Sequence, residues 1–472
     1  MAGETFDVAV IGLGSAGLTA AKAAAQIGLK TVALERARLG GDCLWGGCVP
    51  TNTLLASAKV AATVRDAARF GVETGEVRVD GKAVWQRIRA VQEQIAETDD
   101  NAEIYEQLGI DLRIGPARMT GSHTIDVGGE TIRARKIIIA TGSSPRLPEI
   151  TGLEAADPLT SESIWNLEAP PAEIVILGAG SAGVEFAQGL ARIGSRVKLV
   201  HRGERILPKE EPSLAALLSE RLAGDGVELI ANATINEVSV VEAGTTMLSG
   251  RVGDRDLLLE TPQLLVCCGR KPNVETVGLR AVGIDIGEEG VLTDDRSRTT
   301  IRTVYAVGDV AGRSHTHSAG FDAAQAVRDI ALPGAGRRSP GVPYAIFTDP
   351  ELGHAGLTFD EARETFPGKR VERIERDLGD SDRARIDGDP PGQIVAITVA
   401  GRLAGVHMLA PGASESLGGI QGSVSRRQRF TGLAEQVEVY PTRTIELQRL
   451  AGERALEFAV RIRNQIPNFL RR

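Results

Sequence analysis

The sequence predicts an α/β protein in which a parallel sheet flanked by helices is built twice. An apolar strand, a Gly-x-Gly-x-x-Gly turn, a helix and a second strand occur near residue 6 and again near residue 173, and alternation of this kind builds parallel sheets. Glycine supplies 55 of 472 residues, clustered at strand-to-helix turns rather than in a low-complexity tract; that is roughly 12% against the usual 7%. The length gives material for about three domains at roughly 150 residues each.

The first unit opens on Phe6-Asp7-Val8-Ala9-Val10-Ile11, which reads as a buried strand. Gly12, Gly14 and Gly17 follow, then an Ala-rich helix to Gly28 and the strand Thr31-Val32-Ala33-Leu34 ending on Glu35. This is a full dinucleotide fingerprint: glycines for the turn, the close backbone approach and the helix packing, then an acid for a ribose hydroxyl. The helix N-terminus offers amide donors to a pyrophosphate.

Just downstream, Cys43 and Cys48 stand five positions apart in Gly40-Gly41-Asp42-Cys43-Leu44-Trp45-Gly46-Gly47-Cys48-Val49-Pro50-Thr51-Asn52. The chain has four Cys, and Met1-Ala2-Gly3-Glu4-Thr5 leads straight into a strand without signal-peptide regions. A close pair beside a cofactor site then reads as redox-active rather than as a structural staple. No further Cys or His cluster with ligand spacing follows the pair, so no metal site is expected.

The second unit runs from Glu173-Ile174-Val175-Ile176-Leu177 through Gly178, Gly180 and Gly183 to a helix and the strand Arg196-Val197-Lys198-Leu199-Val200. Two copies imply two dinucleotides. The position matching Glu35 is His201, and the segment continues Arg202-Gly203-Glu204-Arg205. A carboxylate there would repel a 2′-phosphate, whereas Arg pairs with one bidentately, so NADPH is expected in preference to NADH. The plainer alternative makes Arg202 and Arg205 solvated surface charges.

A net charge of −8 without a long basic run argues against nucleic acid and against an anionic membrane surface. No apolar stretch reaches the ~18 residues of a membrane span. A soluble, cytoplasmic protein is expected.

With two fingerprints bracketing a Cys-x4-Cys pair, the chain resembles the FAD-dependent pyridine nucleotide-disulfide oxidoreductases, the family of dihydrolipoamide dehydrogenase, glutathione reductase and mercuric reductase. The likeness extends to Ala140-Thr141-Gly142-Ser143-Ser144-Pro145 and Gly269-Arg270-Lys271-Pro272-Asn273, which resemble the family's two crossovers. Tyr305-Ala306-Val307-Gly308-Asp309 resembles its second FAD motif, whose Asp contacts the ribitol, and Thr316-His317-Ser318-Ala319 the segment under the flavin. Phe347-Thr348-Asp349-Pro350-Glu351 resembles the opening of the dimer-interface domain.

The resemblance implies two Rossmann-like domains and a C-terminal α+β dimerisation domain. An FAD domain (1–149 and 275–338) is split around an NAD(P) domain (150–274), and the interface domain (339–472) builds a homodimer. It also implies an enzyme that passes hydride equivalents from nicotinamide through FAD to a Cys43–Cys48 disulfide. Cys48 would lie nearer the flavin as its charge-transfer thiolate, and Cys43 would attack or release the substrate. The cofactor-binding set so implied is Gly12, Gly14, Gly17, Glu35, Gly41, Asp42, Asn52, Gly142, Asp309, Ala319, Gly178, Gly180, Gly183, Glu185, His201, Arg202, Arg205 and Gly269.

The family pattern breaks at two places. Asn52 stands where the family has a Lys paired with the Glu matching Glu185. A buried carboxylate without its cation rises in pKa unless Asn52 or water satisfies it, and a lowered flavin potential with a weakened charge-transfer band follows. Near the C-terminus, Tyr440 and Ile445 take the positions of a His–Glu pair supplied by the partner subunit, with Glu446 one residue out of register and Glu438 nearby.

A phenol with a reference pKa of about 10 is a poor base, and losing a positioned acid–base costs about 10²–10⁴-fold in rate. An unusual disulfide, or an acceptor needing no imidazole such as a quinone, is therefore expected. Tyr440 and Glu446 join Cys43 and Cys48 as candidate catalytic residues. The alternatives are direct flavin transfer to quinones or dyes, and a non-catalytic redox sensor or binding subunit.

Tyr at that position also occurs in mercuric reductases, but those carry a C-terminal Cys pair and the tail Ile466–Arg472 has none. Cys267 and Cys268 fall in an apolar run and point to opposite faces, as small core residues. His315, His317 and His354 read as packed or backbone-bonded, and His123 and His407 carry no signal.

Overall fold

The computed structural model describes residues 5–241, 244–313, 315–339 and 341–465. The segments Met1–Glu4 and Ile466–Arg472, read above for a signal peptide and for Cys, lie outside the described residues. In the first sheet, Thr5–Ile11 runs parallel to Thr31–Glu35 on one side and Glu130–Ile139 on the other, with Asp111–Ile114 beyond Thr31–Glu35. Alternate side chains enter opposite cores: Ala9 and Ile11 join one cluster, Val8 and Val10 the other. That is why Val8–Ile11 is apolar at every position rather than alternating. The last residues of Glu130–Ile139 also pair with Val304–Ala306, so the chain returns to this sheet after building a second one.

The second sheet has the order Val227–Ile230, Arg196–Val200, Glu173–Leu177, Leu264–Val266, Leu159–Thr160, all parallel. Its last long-range strand ends at Val266, so Cys267 and Cys268 lie in the turn that follows rather than within the strand. They still face opposite ways, Cys267 packing on one core and Cys268 on the other. An antiparallel ribbon of Ser143–Pro145 and Arg270–Pro272 joins the two sheets, opened by Gly142 (φ +68°) and Gly269 (φ +93°).

The C-terminal part is a five-stranded antiparallel sheet ordered Tyr344–Ile346, Glu351–Gly356, Arg402–Ala410, Gln393–Val399, Val371–Asp377. Val395 and Ile397 on one face share a core with Phe186 and Leu190 of the helix Ser181–Arg192. Beside that core the guanidinium of Arg192, 3% exposed, donates to Asp225 (2.9 Å), to the Asp349 carboxylate (2.7 Å) and to the Asp349 carbonyl (2.9 Å). The other face carries the helix Ala413–Ser425, with Leu417 and Val424 buried on it. The helix Ile445–Gln465 packs there through Leu447, Leu450 and Ala451 and exposes Leu456, Phe458 and Val460 beyond. Among the described residues no helix is long and apolar enough to cross a membrane.

Candidate active site

Both glycine turns are closed in the same way. A Cβ on Gly12 would meet the Ala140 carbonyl oxygen at 2.6 Å, and one on Gly178 the Cys267 carbonyl oxygen at 2.5 Å. The third glycines, Gly17 and Gly183, would meet Gly12 O at 1.8 Å and Gly178 O at 1.9 Å. Each helix therefore starts directly behind its strand. The middle glycines, Gly14 and Gly180, are the helix N-caps; neither helix has a side-chain cap, so first-turn amides stay available for an anion.

Glu35, at the end of its strand, accepts from Leu13 N (2.7 Å, Oε2) and Ala37 N (3.0 Å, Oε1). Each oxygen keeps lone pairs for ribose hydroxyls. Gly41 (φ +56°) lies against the first turn, where its Cβ would meet Gly14 Cα at 2.6 Å. This contact brings the Cys segment onto the fingerprint. Turn, amides and acid together fit FAD.

Cys43 lies in the short helix Gly41–Trp45, and Cys48 is the first residue of the helix Cys48–Arg65. Both are free thiols within hydrogen-bonding range of each other, and Cys48 Sγ lies 3.2 Å from Thr316 Oγ1. The hydrogen bond from Cys48 brings the Cys43 thiol down to about 6, and the hydrogen bond to Cys43, burial and the charge so formed push Cys48 well above the usual thiol range. Burial pushes the Cys267 and Cys268 thiols up, so neither is reactive.

Sequence reasoning missed what holds this loop. Gln92 donates to the carbonyls of Leu44 and Trp45 (3.0 Å each), and Trp165 Nε1 donates to the Gly46 carbonyl (3.1 Å). Trp165 is itself wedged between Trp85 (5.8 Å) and Phe186 (5.4 Å). None of these residues falls in a motif.

Beside the loop, Arg270 gathers acids. Its Nη2 lies 3.1 Å from Glu162 and 3.4 Å from Asp42, while Nε donates to Ser143 Oγ (2.7 Å), which donates to Asp309 (2.5 Å). Burial raises the Asp42 carboxyl to about 6 against the pull of Arg270, with Glu162 and Asp309 adding to the rise. Ala319, buried on the helix Thr316–Ala331, would meet a Gly308 Cβ at 3.1 Å, which draws the Asp309 turn against that helix.

The geometry shows where the expected site residues find their partners. Asn52 does not satisfy Glu185: its Nδ2 donates to the Cys48 carbonyl one turn back (2.9 Å), and Glu185 instead accepts from Phe347 N (2.8 Å). Burial and the nearby Cys48 push the Glu185 carboxyl up to about 7, burial being the larger cause. Arg205 folds back onto the carbonyls of Leu207 (3.3 Å), Pro208 (2.8 Å) and Glu210 (2.8 Å), which leaves exposed Arg202 as the cation facing solvent; His201 is buried and its imidazole pKa is lowered by burial. Glu446, 4% exposed, is held by Arg376 (3.0 Å) and Arg449 (2.7 Å). Tyr440, 60% exposed, donates to Asp382 (3.1 Å), whose charge raises the phenol pKa and makes it a still weaker acid.

Comparison with known proteins agrees with this architecture. Residues 6–326 match the family described as pyridine nucleotide-disulphide oxidoreductase, and residues 342–451 match its dimerisation domain. The dihydrolipoyl dehydrogenase of Chlorobaculum tepidum is 32% identical over 448 residues, covering 93% of this chain and 94% of its own. The mercuric reductase of Lysinibacillus sphaericus is 30% identical over 419 residues, covering 87% and 76%. The solved structure of the HOCl-induced flavoprotein disulfide reductase RclA from Escherichia coli superposes with a TM-score of 0.81 at 27% identity, covering 94% of this chain and 99% of that one. A Cu(II) complex of RclA superposes equally, with a TM-score of 0.81 at 26% identity over 95% and 99%. The chain belongs to the pyridine nucleotide-disulphide oxidoreductase family, whose members are FAD-dependent enzymes that use NAD(P)H, and it carries that family's dimerisation domain.

Proposed function

We propose that this family member draws reducing equivalents from NADPH and delivers them through FAD to Cys43 and Cys48, which reduce an unusual disulfide or an acceptor needing no imidazole, such as a quinone. The observation that carries the reading is the thiol pair itself, two free cysteines that shift each other's ionisation, set against the first glycine turn by the Gly41–Gly14 contact. When bound, FAD supplies acceptance of two electrons as hydride and their release to a disulfide, which nicotinamide alone reduces poorly. The amides after Gly14 and the Glu35 carboxylate would hold its pyrophosphate and ribose, and Asp309 its ribitol. Arg202 would meet a 2′-phosphate beside the second turn.

For a disulfide acceptor, the Cys43 thiolate attacks one sulfur, a mixed disulfide forms and the first thiolate leaves. Cys48 then attacks Cys43 Sγ, the second thiol leaves and the Cys43–Cys48 bond closes; two electrons pass from the pair to the acceptor. The Thr316 hydroxyl, 3.2 Å from Cys48 Sγ, also supports the Cys43 thiolate. With Tyr440 a weak acid, the Cys48 thiol is the proton donor at hand for the leaving thiolate.

Anaerobic titration with NADPH, followed by visible spectroscopy, tests the reading. Uptake of two equivalents is expected, one for FAD and one for the disulfide; uptake of one sinks the thiol relay. Cys43→Ser should abolish reduction of every acceptor, whereas retained quinone or dye reduction establishes direct flavin transfer. A higher kcat/KM with NADH overturns the nucleotide preference. Because RclA forms a Cu(II) complex, Cu(II) belongs in the acceptor screen. The domain limits 1–149 with 275–338, 150–274 and 339–472 and a cytoplasmic setting are part of the same proposal. Sheet membership supports the limits, and a reducing compartment would keep the pair cycling.

A further inference from the structure

Glu210, His354 and His407 meet where the second parallel sheet joins the C-terminal sheet. Glu210 leads into the helix Pro212–Gly224, while His354 and His407 are direct cross-strand partners on Glu351–Gly356 and Arg402–Ala410. The three are 5%, 6% and 0% exposed, and one ligand atom of each lies within 4.8 Å of the others.

The hydrogen bonds sort the ring nitrogens. His354 Nε2 bonds the Gly356 carbonyl (2.8 Å) and His407 Nε2 the Leu357 carbonyl (3.0 Å), so both outer nitrogens carry hydrogen. His354 Nδ1 faces Glu210 Oε2 (2.9 Å), and the wholly buried His407 Nδ1 has no partner. The other carboxylate oxygen, Glu210 Oε1, accepts from the Tyr344 hydroxyl (2.6 Å), whose ring stacks on His354 at 4.3 Å.

This is how metal-binding histidines are held. The outer N–H donates to a backbone carbonyl, which fixes tautomer and ring orientation and leaves the inner nitrogen for the ion, and the carboxylate has its own outer partner. We propose that Glu210, His354 and His407 bind one divalent first-row transition ion of the zinc class. Two imidazoles and a carboxylate suit such an ion, whereas Mg²⁺ and Ca²⁺ favour all-oxygen shells. The ion replaces the proton between His354 and Glu210, and water or the second oxygen of Glu210 takes the fourth position. Bound there, it ties the segment between the strand Arg196–Val200 and the helix Pro212–Gly224 to the C-terminal sheet. His315 extends this cluster toward the thiols: it stacks on Tyr344 at 4.3 Å and directly precedes the helix whose first residue is Thr316.

The test uses the flavin-loaded full chain carrying Cys43→Ser and Cys48→Ser, so that the thiols cannot contribute. After chelation, the protein is dialysed against Zn²⁺ or Co²⁺, and bound metal per chain is measured by atomic emission. One ion per chain and a four-coordinate Co²⁺ spectrum are expected, with affinity at least about tenfold lower in His354→Asn and in Glu210→Gln. Tyr344→Phe keeps all three ligands and should weaken binding about tenfold by removing the outer hydrogen bond; this variant carries the test if a ligand variant fails to retain flavin. Substoichiometric binding in the double-Ser protein overturns the proposal, as does affinity unchanged in Tyr344→Phe and in any ligand variant that retains flavin.

Discussion

Thr316→Val probes the thiol pair most directly. Valine keeps the volume of threonine but removes the hydroxyl 3.2 Å from Cys48 Sγ. A hydrogen bond to a charged group contributes roughly 1.5–3 kcal/mol, and about 1.4 kcal/mol corresponds to one pKa unit. Thr316 ranks behind Cys48 among the groups that bring Cys43 down to about 6, so the lower end applies and the midpoint should rise to about 7. Alkylation of the reduced protein by iodoacetamide tracks the thiolate, so the rate of the unaltered protein climbs through pH about 6 and the variant's curve lies one unit higher. At pH 6 the variant should react roughly fivefold more slowly, and the curves should meet above pH about 8. Cys267 and Cys268, with raised thiol pKa values, add little background in that range. Thr316→Ser should restore the profile. Superimposable profiles for the unaltered protein and Thr316→Val refute the reasoning, as does a Ser variant that behaves like Val.

Other perturbations test the neighbouring assignments. Asn52→Lys returns a cation to the side of Glu185, whose carboxyl stands at about 7; an opposite charge within ~4–6 Å lowers a carboxyl by about 1–3 units. The flavin midpoint potential should rise, by roughly 30 mV if the cation favours the reduced state by about 1.4 kcal/mol, and a redox titration without an upward shift rejects the link. Arg202→Gln should cut kcat/KM for NADPH about tenfold or more and leave NADH unchanged, since a charge-assisted pair is lost. Arg205→Gln should lower Tm without altering the nucleotide ratio, because its hydrogen bonds go to its own loop; a changed ratio would return it to the nucleotide site. Arg192→Met leaves Asp225 and Asp349 without their buried cation and should cost about 3–5 kcal/mol in urea unfolding. A loss below ~1 kcal/mol means the clamp is not what fixes the C-terminal sheet.

The sequence by itself determined the two parallel sheets, both glycine turns, the placing of Glu35 and the closeness of the two thiols. Each is encoded within about 30 consecutive residues, where strand period, turn glycines and helix start must agree. Its departures from family pattern at Asn52 and Tyr440 were equally legible, because they are matters of identity at a fixed position. Only the tertiary structure decided where polar groups find partners. Glu185 takes an amide from Phe347, Arg205 turns to its own loop, Glu446 is held by Arg376, and Trp165 and Gln92 fasten the Cys loop from 119 and about 48 residues away. His354 and His407 looked inert singly, yet strand pairing sets them side by side against Glu210, 144 residues from His354. A buried donor or acceptor must be satisfied by whatever element packs against it, and which element that is depends on the assembled sheets, not on local sequence.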